Sequence, residues 1–385
     1  MEKVRLGIIG LGSMGSAHAR WILEGKVPGL ELAAVADIAP EQLAPFPTAR
    51  HFETGGAMFA SKSVDAVLIA TPHFFHTTLG IEALAAGLHV LTEKPISVHK
   101  ADCERLIAAH TDKSLVFAAM FNQRTDPRYI KLRELIQSGE LGTIRRVQWT
   151  VTNWFRSDAY YASGGWRATW AGEGGGVLLN QCPHNLDLFQ WLFGMPSHMQ
   201  AHCSFGRYHD IEVEDDVTAF MEFKGGATAT FIASTGEAPG TNRLEIAADR
   251  GRVVFEHGKI EFLRTVCSNE AYCRTTSERW QGPDTWTVQI PVEGTGDQHL
   301  GILRNFTEAV LHGVPLIAPA EEGIYSVELA NAMLLSAFEQ RTVDLPLDAA
   351  HYAQVLAQRI AGSRKKTGTA PPRVARDLAN SFGRH

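Results

Sequence analysis

Residues 66–95, AVLIATPHFFHTTLGIEALAAGLHVLTEKP, decide the fold. Ala66 to Ala70 is a short apolar run bounded by polar and turn residues, which predicts a buried strand ending at Thr71-Pro72. Thr77 to Ala86 has helical spacing and stops at Gly87, a residue suited to a helix C-terminus. Leu88 to Leu91 is a second apolar run, and it leads into Thr92-Glu93-Lys94-Pro95. Strand, helix and strand in this sequence build a parallel sheet with a right-handed crossover. Ligands of such sheets bind beyond the carboxyl ends of the strands. Thr71-Pro72 and Glu93-Lys94-Pro95 both fall there, so Lys94 can aim its amine into a cleft.

Upstream, the strand-like run Val4 to Ile9 runs directly into Gly10-Leu-Gly-Ser-Met-Gly15 and then a helical segment to about Glu24. A GxGxxG with a strand before it and a helix after it predicts a dinucleotide site. Gly10 permits the tight turn, Gly12 lets the backbone approach a pyrophosphate, and Gly15 allows close helix–strand packing. Around Ser13 and Met14 the helix start turns N–H groups towards the phosphates. Leu30 to Ala36 is the second strand, and Asp37 closes it 22 residues after Gly15, where an acid accepts hydrogen bonds from an adenosine ribose. A carboxylate there repels a 2′-phosphate and Ile38 adds no cation, so NAD is expected rather than NADP. His73 and His76 lie three apart without a carboxylate or cysteine cluster, so no metal is expected, and the pair is read as lining the nicotinamide end. A helix from His99 to His110 and a strand from Leu115 to Ala119 complete a nucleotide-binding unit over residues 1–124.

Length and composition agree with a two-domain globular chain: 385 residues, 45% hydrophobic and 20% charged. A net charge of −6 argues against a nucleic-acid partner. A basic cluster at Arg364-Lys365-Lys366 reads as a solvated face. The five cysteines form no CxxC pair, which favours a reducing compartment over a disulfide framework. No signal-like segment is seen and no apolar run reaches the ~18 residues that span a bilayer. A cytoplasmic protein without membrane attachment is the expectation.

Residues 125–348 read as a second, α+β domain. Asp126 to Gly139 has helical spacing, and strands are predicted at Ile144 to Trp154, twice within Val217 to Ala233, at Leu244 to Ala248, Val253 to Glu256, Ile260 to Leu263 and Thr285 to Val292. Consecutive strands with tight turns predict a largely antiparallel sheet. Helices are expected over Leu300 to Leu311 and Glu321 to Gln340, and residues 349–385 as a helix followed by a tail. Before the sheet lies Gly164-Gly-Trp-Arg-Ala168, then Gly174-Gly-Gly176 and Val177 to Gly194. Helical spacing sets Asn180 and His184 one turn apart, with Asp187 next along. Pro183 requires a helix that starts there or is kinked there. Tyr160, Tyr161, Trp154 and Trp170 suit either a sugar face or the core.

Gly10 to Gly15, Ala70-Thr71-Pro72 with His76, Glu93-Lys94-Pro95 and Asn122 to Arg124 together resemble the glucose–fructose oxidoreductase, inositol dehydrogenase and rhizopine-catabolism family of sugar dehydrogenases. The resemblance implies an N-terminal Rossmann domain, a doubly wound parallel sheet, and a C-terminal α+β domain on a large open, mostly antiparallel sheet whose free face often makes a homo-dimer or homo-tetramer. It implies that Lys94 reaches both the substrate hydroxyl and the cofactor, and that Thr71, Pro72, His76, Glu93, Asn122, Trp166 and Arg167 lie against the nicotinamide side. The polar start Gly296-Asp-Gln-His299 resembles a substrate loop of some sugar-oxidising relatives, with a capped helix start as the alternative, and Arg124 and Tyr160 are expected as further substrate contacts. The family usually carries Asp-x-x-x-His here, whereas this chain has Asn180 before His184. An asparagine takes no proton, so acid/base duty is expected of His184, with Lys94 beside it and Asp187 orienting it or capping local structure. The expected activity is NAD-dependent oxidation of a secondary hydroxyl on a cyclic polyol or pyranose. A glycosidase that oxidises its sugar transiently, and a non-catalytic cofactor-binding regulator, are the alternatives.

Overall fold

The computed structural model describes residues 2–364. Lys365 and Lys366 of the basic cluster, and the tail expected beyond them, lie outside the described residues. The first sheet comprises β1 (Val4–Ile9), β2 (Leu30–Ala36), β3 (Arg50–Phe52), β4 (Ala66–Ile69), β5 (His89–Thr92) and β6 (Phe117–Ala119), in the order 3-2-1-4-5-6. Every pairing in it is parallel. Both faces are covered, so β4 is buried at all four residues, which is why it reads as an uninterrupted apolar run. The strand order reverses between β1 and β4, and at that point the loops leaving the two strands part to form a crevice. The helix after β4 is Phe74–Ala85, three residues longer at its start than its apolar spacing suggests, because the chain turns directly after Pro72. The short β3 and the helix Gly55–Ala60 carry too few buried residues to be legible in the sequence.

The second sheet has nine strands: β7 (Ile144–Val151), β8 (His198–Phe205), β9 (Glu214–Glu222), β10 (Thr228–Ser234), β11 (Asn242–Ala248), β12 (Gly251–Glu256), β13 (Lys259–Thr265), β14 (Thr285–Ile290) and β15 (Val343–Asp344). Their order is 14-13-12-11-7-10-9-8-15, and only β7 and β10 run parallel. β9 shows the period of two: Val217, Ala219 and Met221 face inward while Thr218, Phe220 and Glu222 face out. The buried face packs on the helices Pro183–Phe193 and Gly323–Glu339. Ion pairs Arg146–Glu245 and Arg243–Glu256, each at 2.9 Å, lie on the opposite face.

The two sheets are bound together by buried charge as well as by apolar packing. The helix Gln298–His312 places Ile302, Leu303 and Phe306 in the core of the first sheet, although it follows the second sheet in sequence. Lys100 donates to Glu328 and to the Leu347 carbonyl, both at 2.8 Å. Arg124 is 2% exposed and grips Asp187 through Nε at 2.8 Å and Nη2 at 2.6 Å, while Nη1 reaches Glu322 at 2.5 Å. Such a bidentate pair fixes orientation as well as charge. Among the described residues no helix is long and apolar enough to cross a membrane.

Removing Asp187 leaves the buried guanidinium with only the partly exposed Glu322 as its carboxylate partner. Asp187→Ala should therefore lower the unfolding free energy by up to about 3–5 kcal/mol, read by urea denaturation. Arg124→Met combined with Asp187→Leu should recover most of that loss. An Asp187→Ala protein as stable as its parent would remove the pair from the account of stability.

Candidate functional site

At the end of β1 the backbone makes its turn at Gly10 with φ of +88°, and a Cβ there would stand 2.7 Å from the Ala70 carbonyl oxygen. A Cβ on Gly15 would fall 1.9 Å from the Gly10 oxygen, whereas one on Gly12 would meet nothing within 4 Å. The three glycines thus divide into two that close the turn and one that leaves its outer side open. The helix Ser13–Leu23 begins at Gly12 with no side-chain hydrogen bond on its first turn, so its N–H groups are available to an anion. Asp37 accepts from Leu11 N at 2.7 Å and Ala39 N at 2.9 Å, which pins the glycine turn and leaves lone pairs for a ribose. Beside it Ile38 is 91% exposed and supplies no cation.

Further along the crevice, Thr71 Oγ1 and Asn122 Oδ1 are buried without a hydrogen-bond partner, while Asn122 Nδ2 donates to Gln298 Oε1 at 2.7 Å. Buried polar atoms of this kind are normally satisfied, so they fit a bound polar group. The residues present therefore fit a dinucleotide along the carboxyl ends of β1, β2 and β4. His76 has a different task from the one expected. Its Nδ1 lies 2.8 Å from the Pro95 carbonyl and its Nε2 2.8 Å from the Thr71 carbonyl. Burial lowers the proton affinity of the ring, so it is neutral and donates to one of these carbonyls; wedged between the end of β4 and the end of β5, His76 is part of the cleft wall. Pro72 is half-buried in the same turn.

Lys94 leaves the end of β5 half-buried and crosses to the second half, where Nζ donates to the Asn180 backbone carbonyl at 2.8 Å. Burial lowers its amine, and Arg167 and Arg156 add to this against the opposing pull of Glu93; the result is about 8. Glu93 itself is buried against His18. Burial would raise its carboxyl, but His18 Nε2 at 2.8 Å, with His299 and Lys94, holds it at about 2. His299 is expected near the substrate but sits in the first turn of the helix Gln298–His312. Its ring is 5.7 Å from His18 and 5.9 Å from Trp21, on the nucleotide side of Lys94, and burial pushes it down to about 3.

Asn180 ends the short helix Val177–Asn180, and Pro183 opens a separate helix, Pro183–Phe193, so the chain breaks at the proline rather than kinking. The first of these helices is held by Glu214, which accepts from Gly176 N at 2.8 Å and Leu178 N at 3.0 Å and is pushed up to about 7 by its burial. A Cβ on Gly176 would lie 2.0 Å from the Glu214 carbonyl oxygen, so only glycine admits this approach. His184 is buried with Nδ1 unpartnered, and burial, then Lys94 and His299, drive its imidazole well below the usual range. Lys94 and His184 therefore share one electrostatic environment. Asp187 does not orient His184, because both its oxygens are taken by Arg124. For the same reason Arg124 braces the site from behind and offers nothing to a substrate.

Tyr160 is the one of the four candidate aromatics that faces Asn180. Its hydroxyl donates to Asn180 Oδ1 at 3.2 Å and accepts from Arg167 Nη1 at 2.8 Å. Tyr161 bonds Thr235, Trp154 bonds Asn185, and Trp170 packs on Phe205 and Phe338, so these three belong to the core. Trp166 meets the His73 ring edge-on at 5.5 Å, and Arg167 lies over Trp166 at 4.6 Å. Glu173, unremarked in the sequence between Gly172 and Gly174, is buried against Asn180 and Arg167. Among the described residues no group of three or more His, Cys, Asp or Glu side chains is placed to hold a metal.

The comparisons with known proteins agree with this fold. Residues 4–121 match the model of an oxidoreductase family with an NAD-binding Rossmann fold, and residues 129–254 match the GFO/IDH/MocA C-terminal domain. Levoglucosan dehydrogenase of Pseudarthrobacter phenanthrenivorans is 24% identical, over 90% of this chain and 99% of its own. Myo-inositol 2-dehydrogenase of Thermotoga maritima is 23% identical, over 89% and 98%. The WlbA dehydrogenase of Chromobacterium violaceum, solved with NADH and UDP-GlcNAcA, superposes with a TM-score of 0.77 at 27% identity, over 90% of this chain and 97% of that one. An NAD-binding Rossmann half, a mixed sheet and a shared cleft between them make this chain a member of the Gfo/Idh/MocA oxidoreductases, a family of NAD-dependent sugar and polyol dehydrogenases.

Proposed function

We propose that this enzyme oxidises a secondary hydroxyl of a cyclic polyol or pyranose, and that Lys94, Asn180 and His184 handle the hydroxyl. The observation that carries the reading is the Lys94 ammonium reaching across the crevice to the segment that bears Asn180 and His184. Bound NAD supplies the acceptor for the hydride. The chain's own residues manage the proton and the position of the hydroxyl. Lys94, at about 8, exchanges a proton close to working pH, where general acid–base catalysis is most effective. As the amine it takes the hydroxyl proton; as the ammonium it stabilises negative charge on the same oxygen. His184, held neutral by burial, accepts a hydrogen bond and orients the hydroxyl. The proton affinities thus favour Lys94 over His184 as the acceptor, the reverse of the order expected from the sequence.

A second reading narrows the substrate. The Arg156 and Arg167 guanidinium groups lie over the same Tyr160 ring, at 5.0 and 4.7 Å, and both act on Lys94. This concentration of positive charge favours a sugar that carries a carboxylate or phosphate, as the UDP-GlcNAcA in the WlbA complex does.

Lys94→Ala should reduce turnover by about a thousandfold while NADH still binds, as read by fluorescence titration. Undiminished turnover would remove Lys94 from the chemistry. With the parent enzyme, kcat/KM for oxidation should rise with pH through about 8, because the free amine is the active form and it appears above that value. A rise already complete below pH 6.5 would return the base to His184. In a panel of inositols, neutral pyranosides and their uronic acids, an acid should exceed its neutral parent by about tenfold in kcat/KM, and the gap should shrink with salt. Equal rates at low salt would exclude the anionic substrate.

A further inference from the structure

Asn180 carries the least constrained functional group in the site, because an amide can present either its oxygen or its nitrogen to a ligand. Here the surroundings decide. Glu173, 2% exposed, ends the helix Trp170–Glu173, and its Oε1 receives Asn180 Nδ2. Its Oε2 accepts from Ala168 N at 2.5 Å, and Arg167 Nη1 lies 3.7 Å from Oε1. A carboxylate accepts only, so the Asn180 nitrogen must point towards Glu173 and its oxygen towards Tyr160 and Gln181. Donation then runs one way, from Arg167 and Gln181 to the Tyr160 hydroxyl, from Tyr160 to Asn180, and from Asn180 to Glu173. The backbone carbonyl of the same asparagine accepts from Lys94.

Glu173 is held in turn from both halves of the molecule. Gly174, with φ of +74°, follows it, and a Cβ there would stand 2.0 Å from Val98 Cγ1. The carboxylate therefore reaches Asn180 from a fixed backbone.

We propose that Glu173 is a positioning residue for the sugar side of the site, and that Glu173 and Asn180 act as one acid–amide pair. This rests on the dehydrogenase reading and deepens it: the carboxylate that serves the proposed reaction centre comes from position 173, one residue before the glycine run, rather than from position 180. Each single change breaks the pair. Glu173→Gln leaves one oxygen for two donors, so either Ala168 N or the Asn180 nitrogen meets an amide nitrogen, and Asn180→Asp sets two carboxylates against each other. Made together, the changes restore an acid facing an amide with polarity reversed, and the oxygen that serves Ala168 N is retained.

The test is a double-mutant cycle on the NAD-bound, full-length enzyme with whichever sugar of the panel it turns over. Each single variant should lower kcat about tenfold or more, with little change in the Kd for NADH, and the double variant should return to within about threefold of the parent. A purely structural loss would not be reversed by a second change at the same contact. A double variant that falls by the product of the two single effects overturns the proposal, as does loss of NADH affinity in Glu173→Gln. If the parent itself oxidises no sugar tested, the dehydrogenase reading fails instead. The pair is then read from the thermal midpoints of the same four proteins, where recovery in the double variant supports it and additivity overturns it.

Discussion

The contact between the Lys94 ammonium and the Asn180 carbonyl is the constraint on which the rest of the site depends. An ammonium removed from water is costly unless hydrogen bonds and nearby charge replace its hydration. Glu93 behind it, the carbonyl in front of it and Glu173 beyond Asn180 together offset that cost, while Arg167 and Arg156 work against it. The outcome is a lysine neither firmly charged nor neutral, held between two halves of a chain that buried ion pairs and the helix Gln298–His312 keep together.

The buried titratable groups around it separate into those held in one state and those left near balance. Glu93 is fixed as a carboxylate by His18, and His299 and His184 are fixed as neutral rings by burial. Lys94 at about 8 and Glu214 at about 7 lie near the pH at which a cell works. Glu214 caps the backbone of the helix carrying Asn180, and Lys94 grips that helix at its other end. The short Val177–Asn180 turn is therefore clamped at both ends by groups whose charge is not saturated. Its own four residues make too few hydrogen bonds to keep it in place.

Much of this was legible in the sequence, and the limits of legibility have physical causes. The parallel sheet could be read because β1, β4 and β5 are buried on both faces and so form apolar runs. The glycine turn could be read because its chemistry forces residue identity at Gly10 and Gly15. β8 was missed: its period of two is present, but its buried residues Met199, Ala201 and Cys203 alternate with His198, Gln200 and His202 and give a weak apolar signal. The expectation that Arg124, His76 and His299 touch a ligand comes largely from resemblance. A one-dimensional pattern does not say which way a side chain turns, and all three turn into the protein. Glu173 and Glu214 carried no signal at all, because a carboxylate that meets its partner across 7 or 38 residues follows no local period.

The return of the chain after the nine-stranded sheet has a further consequence. Ile302, Leu303 and Phe306 on the helix Gln298–His312, with Val327 beyond it, fill the core of a unit whose strands all end by Ala119. The nucleotide-binding half is thus discontinuous. A fragment cut after β6 would carry every glycine and acid of the dinucleotide turn, yet would leave an oily groove open to water. Closure of this half thus draws on the first third and the last quarter of the chain, and ribosomal synthesis must proceed well past the midpoint before the first core can be completed.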